Sequence, residues 1–508
     1  MLAATLRYSV AGYNTHPLLL LLALLGFTVF FYVIYYRFAH PLSKYPGPYL
    51  ACLTNWWKVY HTFRLDLHEA VLLLHEKYGS VVRIGPNDLH FWGPEALAPI
   101  YKAGRSMPKT EFYDSFTTFN PNLFGTTDDD QHALRRRQLS HGFSMISARE
   151  MEPIIDYHMG ILRKKLDQCA KTGQVFDLKE YLGACILDGL GEMAFARSFD
   201  SQSTESPAVS NAIRDHILLA CSIGQLPLQS LTKAAIAWSP IPWIRRLIQS
   251  RQQLKQQCAE CVDYRISHPS DRKDLLHSLI KAKDPDTGAE LTRLDINTEA
   301  FAMLVAGSHS TTGTLGMLFY NLFRNPAALR EVTAEIDSHL LMLNPDQPSY
   351  SFDNLESMEH VVACVRENFR MDPVFTMTLW RRVTNPDGVQ IGDNLIPQGT
   401  NVCIMNYVLH HNPDIWGKDQ NTYNPSRWLD PEAKNNSPYL IPFSIGHRMC
   451  IGRNVATMEI YKMVTTLLRN YRFAPVFPGK KQSLRSSGIG ELEGELLVRV
   501  SKRGNDSG

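Results

Sequence analysis

Between Pro17 and Tyr36 the chain reads PLLLLLALLGFTVFFYVIYY, twenty residues without a charge. A helix that is apolar on every side must be buried all round or sit in lipid. This one would be roughly 30 Å long, matching the hydrocarbon core of a bilayer. Tyr32, Tyr35 and Tyr36 crowd one end, where amphipathic rings favour the membrane interface. Arg37, Lys44, Lys58 and Arg64 follow the run, and only Arg7 precedes it. The positive-inside rule then leaves the bulk of the chain in the cytosol. A cleaved signal peptide would carry a shorter apolar core, about 7–15 residues, and a small-x-small site after it. Arg37-Phe38-Ala39-His40-Pro41 supplies no such site. The sequence thus divides into a short lumenal segment 1–16, an anchor 17–36, a hinge 37–50 and a remainder 51–508. The hinge carries HPLSKYPGP from His40, and three prolines with a glycine predict a stiff extended link.

The remainder is globular by composition, because the 508-residue chain is 44% apolar and 20% charged. Lysine and arginine number 52 against 50 acids, a net charge of +2, so no overall field draws the protein to nucleic acid. Nine cysteines in a chain of this length are too few, and odd in number, for a disulfide scaffold, and a reducing compartment fits. Most of the chain reads helical. The longest helical stretch is Leu291–Asn325, with Thr292-x-x-Asp295 as a capping box and Asn325-Pro326 as the stop. Ala306-Gly307-Ser308 near its middle predicts a close approach to the backbone, a tight helix crossing being the plain alternative. Strand signals are few: Ser80–Ile84, Gly388–Ile391, Asn401–Ile404 and Gly494–Val500. The polar stretch Ser201–Ser206 reads as a surface loop and Asp284–Gly288 as a turn. The fold class is mainly α with a small β portion.

The sharpest local feature is Phe443-Ser444-Ile445-Gly446-His447-Arg448-Met449-Cys450-Ile451-Gly452. A helical pattern starts at Arg453, so Cys450 sits where helix N–H groups and the positive dipole end favour thiolate. Gly446 and Gly452 let a large flat group approach the backbone, and Phe443 can pack against it. The bland alternative is a buried structural cysteine beside a turn. F-x-x-G-x-R-x-C-x-G resembles the haem-binding signature of the cytochrome P450 superfamily at all five fixed positions. The resemblance implies that fold behind a transmembrane helix, with 51–508 as a haem-thiolate catalytic domain. It implies haem b as cofactor, Cys450 as the axial iron ligand and Arg448 as partner of a haem propionate. Thiolate ligation pushes electron density to iron and favours O–O cleavage.

Other segments resemble the family in the right order. Glu367-Asn368-Phe369-Arg370 matches its E-x-x-R motif, and Arg427 lies in a following P-x-R-[FW] element, Pro425–Trp428. The resemblance makes Glu367, Arg370 and Arg427 a buried charge triad. An isolated i, i+3 pair would be a solvated surface contact worth under about 1 kcal/mol. His132 and Arg136 match the family's W-x-x-x-R helix with histidine for tryptophan, and both could donate to a propionate; Arg135 and Arg137 read as a basic surface. Arg382 matches the strand arginine that also reaches a propionate.

The long helix departs from the family's A-G-x-[DE]-T. Here His309 replaces the acid and Ser310 the threonine, with Thr311 offering a second hydroxyl. His309, Ser310 and Thr311 are the candidates for moving protons, His309 being able to relay them near neutral pH. A solvent-facing or capping histidine is the plain alternative. By the family's geometry the access path lies among Phe112–Phe124, the 210–240 region, the face of Phe301, Leu304 and Val305, Val374–Thr376 and Ser487–Ile489, which suits a neutral, bulky, lipophilic substrate. Cys258-Ala259-Glu260-Cys261 is a lone CxxC, His410-His411 reads as structural, and the sequon Asn435-Asn436-Ser437 would face the cytosol.

The resemblance therefore implies a membrane-anchored monooxygenase that inserts one oxygen atom of O2 into a lipophilic small molecule. The wording around the cysteine resembles filamentous-fungal members of secondary metabolism. No G-x-G-x-x-G opens a helix after a strand, so electrons would come from NADPH through a separate flavoprotein reductase, docking on a basic face at Arg135, Arg137 and Arg453. Resemblance to microsomal members implies a single-pass protein of the endoplasmic reticulum membrane. Two alternatives keep the haem: an isomerase or dehydratase without O2 chemistry, and a non-enzymatic haem sensor.

Overall fold

The apolar N-terminal run forms helix α1 (His16–Ile34), which widens into a π-helical turn over Tyr35–Ala39. The computed structural model describes residues 16–504, apart from 103–106, 228, 270–271, 285 and 345–346. All but the last residue of the expected lumenal segment thus lie outside the described residues. The leucines and phenylalanines of α1 stand exposed on all sides, and the helix is long and apolar enough to cross a membrane.

The hinge differs from the extended spacer its prolines suggest. Proline blocks a helix but not a turn. The Ser43 N–H donates to the His40 carbonyl at 2.8 Å and the Tyr45 N–H to that of Leu42 at 3.1 Å. Leu42 and Tyr45 are buried against the globule. The Arg83 guanidinium donates to the Tyr36 carbonyl at 2.9 Å, and the Arg83 N–H to that of Pro46 at 2.7 Å. A Cβ on Gly47 would fall 2.0 Å from the Arg83 carbonyl oxygen, so glycine is required there. The link is clamped to the domain it leads into.

The principal helices then follow: α2 (Trp56–Phe63), α3 (Leu67–Tyr78), α4 (Asp129–Ser140), α5 (Met145–Thr172), α6 (Leu178–Phe195), α7 (Ala208–Gly224), α8 (Pro242–Ser267), α9 (Arg293–Arg324), α10 (Pro326–His339), α11 (Glu359–Met371) and α12 (Arg453–Asn470). A four-stranded sheet runs β1 (Val81–Gly85), β2 (Asp88–Phe91), β7 (Asn401–Cys403), β4 (Arg381–Arg382), with β2 and β7 parallel and the other pairs antiparallel. Strands β3 (Phe176–Asp177), β11 (Leu497–Lys502) and β8 (Tyr471–Pro475) form a second sheet. Two hairpins complete the β portion: β5 (Val389–Ile391) with β6 (Asn394–Ile396), and β9 (Leu484–Ser486) with β10 (Gly490–Leu492).

Helix α9 threads the core, and its capping box is formed by Thr292 and Asp295 in both directions. The close approach expected near Gly307 is a helix crossing, with Leu190 of α6 lying 2.9 Å from where a Cβ would be. Ser201–Ser206 is exposed from Ser203 on, as a surface loop would be, but its first two residues are buried. Ser201–Thr204 is a helical turn, and the Ser201 and Gln202 N–H groups each donate at 2.8 Å to the buried Asp188 carboxylate. A buried carboxylate without donors is costly, which pulls this polar segment inward. Cys258 and Cys261 are buried thiols whose pKa burial pushes up.

Buried neutral histidines recur through the core. The Met405 N–H donates to His90 Nε2 at 3.0 Å, so the His90 proton must sit on Nδ1, facing His75 Nε2 at 2.7 Å. His75 then donates from Nδ1 to the Gly79 carbonyl at 2.7 Å. Burial pushes His68 and His410 down to about 3 and His75 and His411 to about 4, and holds His90 and His216 well below the ordinary value. Below the unfolded pKa of about 6.5 the unfolded chain takes up protons that these rings refuse, so stability falls as pH falls. Glu459, Glu299 and Asp372 act in the opposite sense, because burial raises them to about 8, 7 and 6. Six histidines against three carboxyls leave a net loss of several kcal/mol at pH 5, at about 2 kcal/mol per unbalanced ring. The melting temperature is expected to drop steeply between pH 6.5 and 5; a flat or rising profile would contradict this balance.

Candidate functional site: a cysteine loop beneath a cationic cluster

The loop before α12 is shaped by its backbone. Ser444 and Gly446 adopt left-handed conformations (φ 60° and 74°), and the Cys450 N–H closes the loop on the Phe443 carbonyl at 2.9 Å. A non-glycine residue such as Ser444 held in that region stores strain, which functional loops tolerate when their surroundings fix it. The Phe443 ring stands edge-on to Phe369 of α11, 5.3 Å away. Gly452 caps α12, so the N–H groups of Gly452 and Arg453 favour a negative sulfur. Desolvation by the protein packed around the loop outweighs them and the Arg136 and Arg453 charges, and raises the thiol. Cys450 nevertheless differs from the other eight cysteines, which are buried, in being left uncovered by the chain. A bound cation would supply the rest of the drive to thiolate.

Basic groups converge above this loop. Arg448 donates to Asp129 Oδ1 at 2.5 Å and to the Thr126 carbonyl at 2.9 Å, and Arg136 donates to the Met449 carbonyl. His132 is buried and pushed down to about 3 by burial and then by the charges of Arg448, Lys109, His447 and Arg136. Two members had no signal in the sequence. Lys109 is buried, with Nζ 4.1 Å from the Tyr113 ring centroid and 4.6 Å from that of Phe124, and burial, then Arg381 and Arg448, hold its pKa well down. Arg381 is buried and donates to the Tyr113 hydroxyl at 2.8 Å. Arg382, the strand arginine expected here, faces the other way: it pairs with Glu111 at 2.6 Å and with Asn401 at 3.1 Å. Successive residues of a strand point to opposite faces, so β4 sends one arginine in and one out. Arg135 also departs from the basic surface assigned to it, pairing with Asp295 at 2.9 Å and Glu299 at 3.6 Å. Arg137 and Arg453 remain exposed.

Lys109, His132, Arg136, Arg381 and Arg448 are thus coupled to one another in one neighbourhood, whose carboxylate, Asp129, pairs with Arg448 and His447. Burial pushes Asp129 up, but Arg448 and His447 outweigh it and hold it low. So many buried donors with so little negative charge call for anions. A cofactor bearing two carboxylates and a metal centre that takes sulfur fits the set: Cys450 would ligate iron, and these cations would hold the propionates of iron protoporphyrin IX.

The charged residues of α11 and the following loop meet behind the site. Glu367 accepts from Arg370 at 3.0 and 2.8 Å, from Arg427 at 3.1 Å, from the Trp428 indole at 2.9 Å and from the Asn424 N–H at 2.9 Å. Arg370 also donates to the carbonyls of His410, Gln420 and Thr422, at 3.1, 2.6 and 3.0 Å. His410 is structural: Nδ1 donates to the Phe369 carbonyl at 3.1 Å and Nε2 accepts from the Ile441 N–H at 2.9 Å.

Helix α9 is regular through Ala306–Thr312, so no bulge shifts its register. The three candidates separate around it. Ala306 is exposed and Ser310, four residues on, is half-buried, so the two share an open face; the Ser310 hydroxyl donates to the Ala306 carbonyl at 2.6 Å. Thr311, about 100° further round the helix, is buried and hydrogen-bonded to Glu459 of α12, which burial raises to about 8. His309 lines a cleft with Lys179, Arg214 and Glu491.

A mainly helical fold, a cysteine loop opening a helix and a cluster of cations above it define a haem-thiolate protein. The family profile described as cytochrome P450 matches residues 46–497, and the chain belongs to that family. Similar proteins include the cytochrome P450 monooxygenase gsfF of Penicillium aethiopicum, 30% identical over 95% of this chain and 98% of that protein. The averantin hydroxylase of Dothistroma septosporum is 28% identical over 93% and 89%, and the cytochrome P450 monooxygenase 1 of Neocamarosporium betae 31% over 84% and 86%. The protein is a haem monooxygenase related to fungal enzymes of secondary metabolism, using haem b, O2, a lipophilic substrate and a redox partner.

Proposed function

We propose that Cys450 is the axial ligand of the haem iron, that Lys109, His132, Arg136, Arg381 and Arg448 hold the propionates, and that Ser310 passes protons on the open face of α9. The observation that carries this is an uncovered cysteine with Arg136 and the Arg448 loop beside it, in a cluster of five basic groups. Bound haem supplies oxygen activation; the chain orients it and delivers protons.

The substrate is proposed to be neutral, bulky and lipophilic. Phe112, Tyr113, Phe116 and Phe124 form a continuous aromatic cluster with ring centroids 5.3 to 5.7 Å apart, and Phe124 meets Phe375 at 6.4 Å. Ser310→Ala is expected to uncouple the enzyme: NADPH still consumed, peroxide raised, and product formation lowered by about 10²-fold or more. Thr311→Ala removes a partner of buried Glu459 and is expected to cost about 1–3 kcal/mol in stability instead. Wild-type product-to-NADPH ratio in Ser310→Ala would sink the assignment.

The anchor and the charges after it support an endoplasmic reticulum protein with its catalytic domain in the cytosol, served by an NADPH-dependent flavoprotein reductase that docks at Arg137 and Arg453. The apolar segment 217–243 is proposed to supply a second membrane contact, through its exposed residues only, since Ile217 and Leu219 are buried in the core. Leu231, Trp238, Ile241 and Trp243 are exposed, and Trp243 meets Phe63 of α2 at 5.3 Å beside exposed Trp56 and Tyr60. Deleting residues 1–36 is expected to leave part of the protein on microsomes, and adding Trp238→Ser and Trp243→Ser to release it. Complete release by the deletion alone would remove the second contact.

A further inference from the structure

We propose that Glu299 and Thr298 of α9 are positioning residues of the cofactor site: they hold the loop and the helix that aim Lys109, His132, Arg136 and Arg448 at the propionates. The inference rests on the reading of those cations given above and adds the groups that fix them.

The segment 117–128, which leads from the Phe112–Phe116 aromatics into α4, is neither helix nor strand. Its half-buried backbone must therefore find hydrogen-bond partners outside regular structure. Helix α9 supplies them from its side chains. The Asn120 N–H donates to the Thr298 hydroxyl at 2.9 Å, and that hydroxyl donates back to the Asn120 carbonyl at 3.4 Å. The Leu123 N–H donates to the Glu299 carboxylate, 2.9 Å from Oε1 and 3.3 Å from Oε2. The Asn120 side-chain amide donates to Asp295 at 3.3 Å. Thr298 and Glu299 are both buried, so water does not stand ready to replace them.

A few residues on, the same loop sets two of the cations. The Gly125 N–H donates to the Asn122 side chain at 2.6 Å and the Thr126 N–H to the Asn122 carbonyl at 2.8 Å, which ties the turn after Leu123 to the residue before it. The Phe124 carbonyl accepts from the Lys109 ammonium, and the Thr126 carbonyl from Arg448 at 2.9 Å. The carbonyl that aims Lys109 thus belongs to the residue after the one Glu299 grips, and the carbonyl that aims Arg448 lies two residues further.

A second route runs through α4. Asp295 and Glu299 are four residues apart and share a face of α9. Arg135 bridges them, 2.9 Å from the first and 3.6 Å from the second. One terminal nitrogen of Arg135 is buried without a partner, so these two carboxylates are what hold the side chain. His132 and Arg136 stand on the same helix within a turn of Arg135, and Arg136 donates to the Met449 carbonyl beside Cys450. Removing Glu299 leaves the Leu123 N–H unpaired and Arg135 with Asp295 alone, and lets loop and helix shift. Charge-assisted bonds to a carboxylate are about 2.7–2.9 Å long, so a displacement of about 1 Å breaks them.

The test is the rate at which the ferric enzyme loses haem to excess apomyoglobin, read from the Soret band. Glu299→Ala is expected to speed the loss by about tenfold or more, the scale of one buried hydrogen bond left unmade. Glu299→Gln keeps an acceptor for the Leu123 N–H and is expected to recover part of that change. Arg448→Gln is expected to speed the loss as well. The double variant Glu299→Ala, Arg448→Gln is expected to fall well short of the product of the two effects, because the first acts through the second. Asp188→Ala is the control: it strips another buried carboxylate from its two N–H donors, and is expected to lower the melting temperature without speeding haem loss. Effects that multiply, or Asp188→Ala matching Glu299→Ala, would make Glu299 a prop of the fold alone and overturn the proposal. If Glu299→Ala does not fold, Thr298→Val, which removes only the hydroxyl, decides in the same cycle, a wild-type rate counting against. Arg448→Gln at the wild-type rate would strike down the propionate reading and this proposal with it. Rapid loss in Arg448→Gln beside a wild-type rate in Glu299→Ala would strike down this proposal alone.

Discussion

Cys450→Ala is expected to abolish the red-shifted Soret band of the reduced carbon-monoxide complex and to take product formation to background. The band reports a thiolate on iron, and Cys450 is the uncovered cysteine among nine. Haem content is expected to fall less than the band does. The cations that would hold the propionates come from α4, β4, the loop and the segment before Phe112, and none depends on the sulfur. The folded state should survive, because removing an uncovered sulfur leaves no buried cavity behind. Haem content, band and melting temperature therefore separate ligand loss from unfolding. A variant that keeps the band would place the iron ligand elsewhere and remove the basis of the site. Cys450→Ala that simply melts would instead make the cysteine structural.

The features legible in the sequence are those that local spacing fixes. The capping box of α9, the glycines around Cys450 and the i, i+3 pair Glu367–Arg370 are each written within a dozen residues, and the structure realises all of them locally. What escaped was convergence. Lys109 and Arg381 are separated by hundreds of residues and become neighbours only when the Lys109–Arg381 bridge forms beside β4. Spacing alone could not say which of two adjacent strand arginines turns inward, and Arg382 was the wrong side of the pleat. His309 looked like a bare departure from the family pattern because the cleft it lines, with Lys179, Arg214 and Glu491, is assembled from segments far apart in the chain. Ser201 and Gln202, at the start of an otherwise exposed polar segment, escaped because polarity is compatible with burial wherever a carboxylate such as Asp188 needs donors.

Glu367→Ala is expected to destabilise the protein by about 3–5 kcal/mol, enough to remove much of a typical stability of about 5–15 kcal/mol. Arg370 has no exposed side-chain surface, and the substitution strands its charge. Three backbone carbonyls still face it, which is why the loss stops short of the full cost of an isolated buried ion. Glu367→Gln keeps one acceptor and the side-chain volume, and is expected to lose less. The informative variant is Glu367→Leu with Arg370→Met. In many proteins an apolar replacement of a buried ion pair is neutral or stabilising. Here it would leave the carbonyls of His410, Gln420 and Thr422, the Asn424 N–H, the Trp428 indole and Arg427 without these partners. The double variant is therefore expected to stay several kcal/mol below wild type in urea unfolding and to accumulate little haem-loaded protein. Its recovery to wild-type stability would mean that the pair serves only itself. A persistent deficit would mean that Glu367 and Arg370 work as the hub that ties α11 to the loop running back toward Cys450.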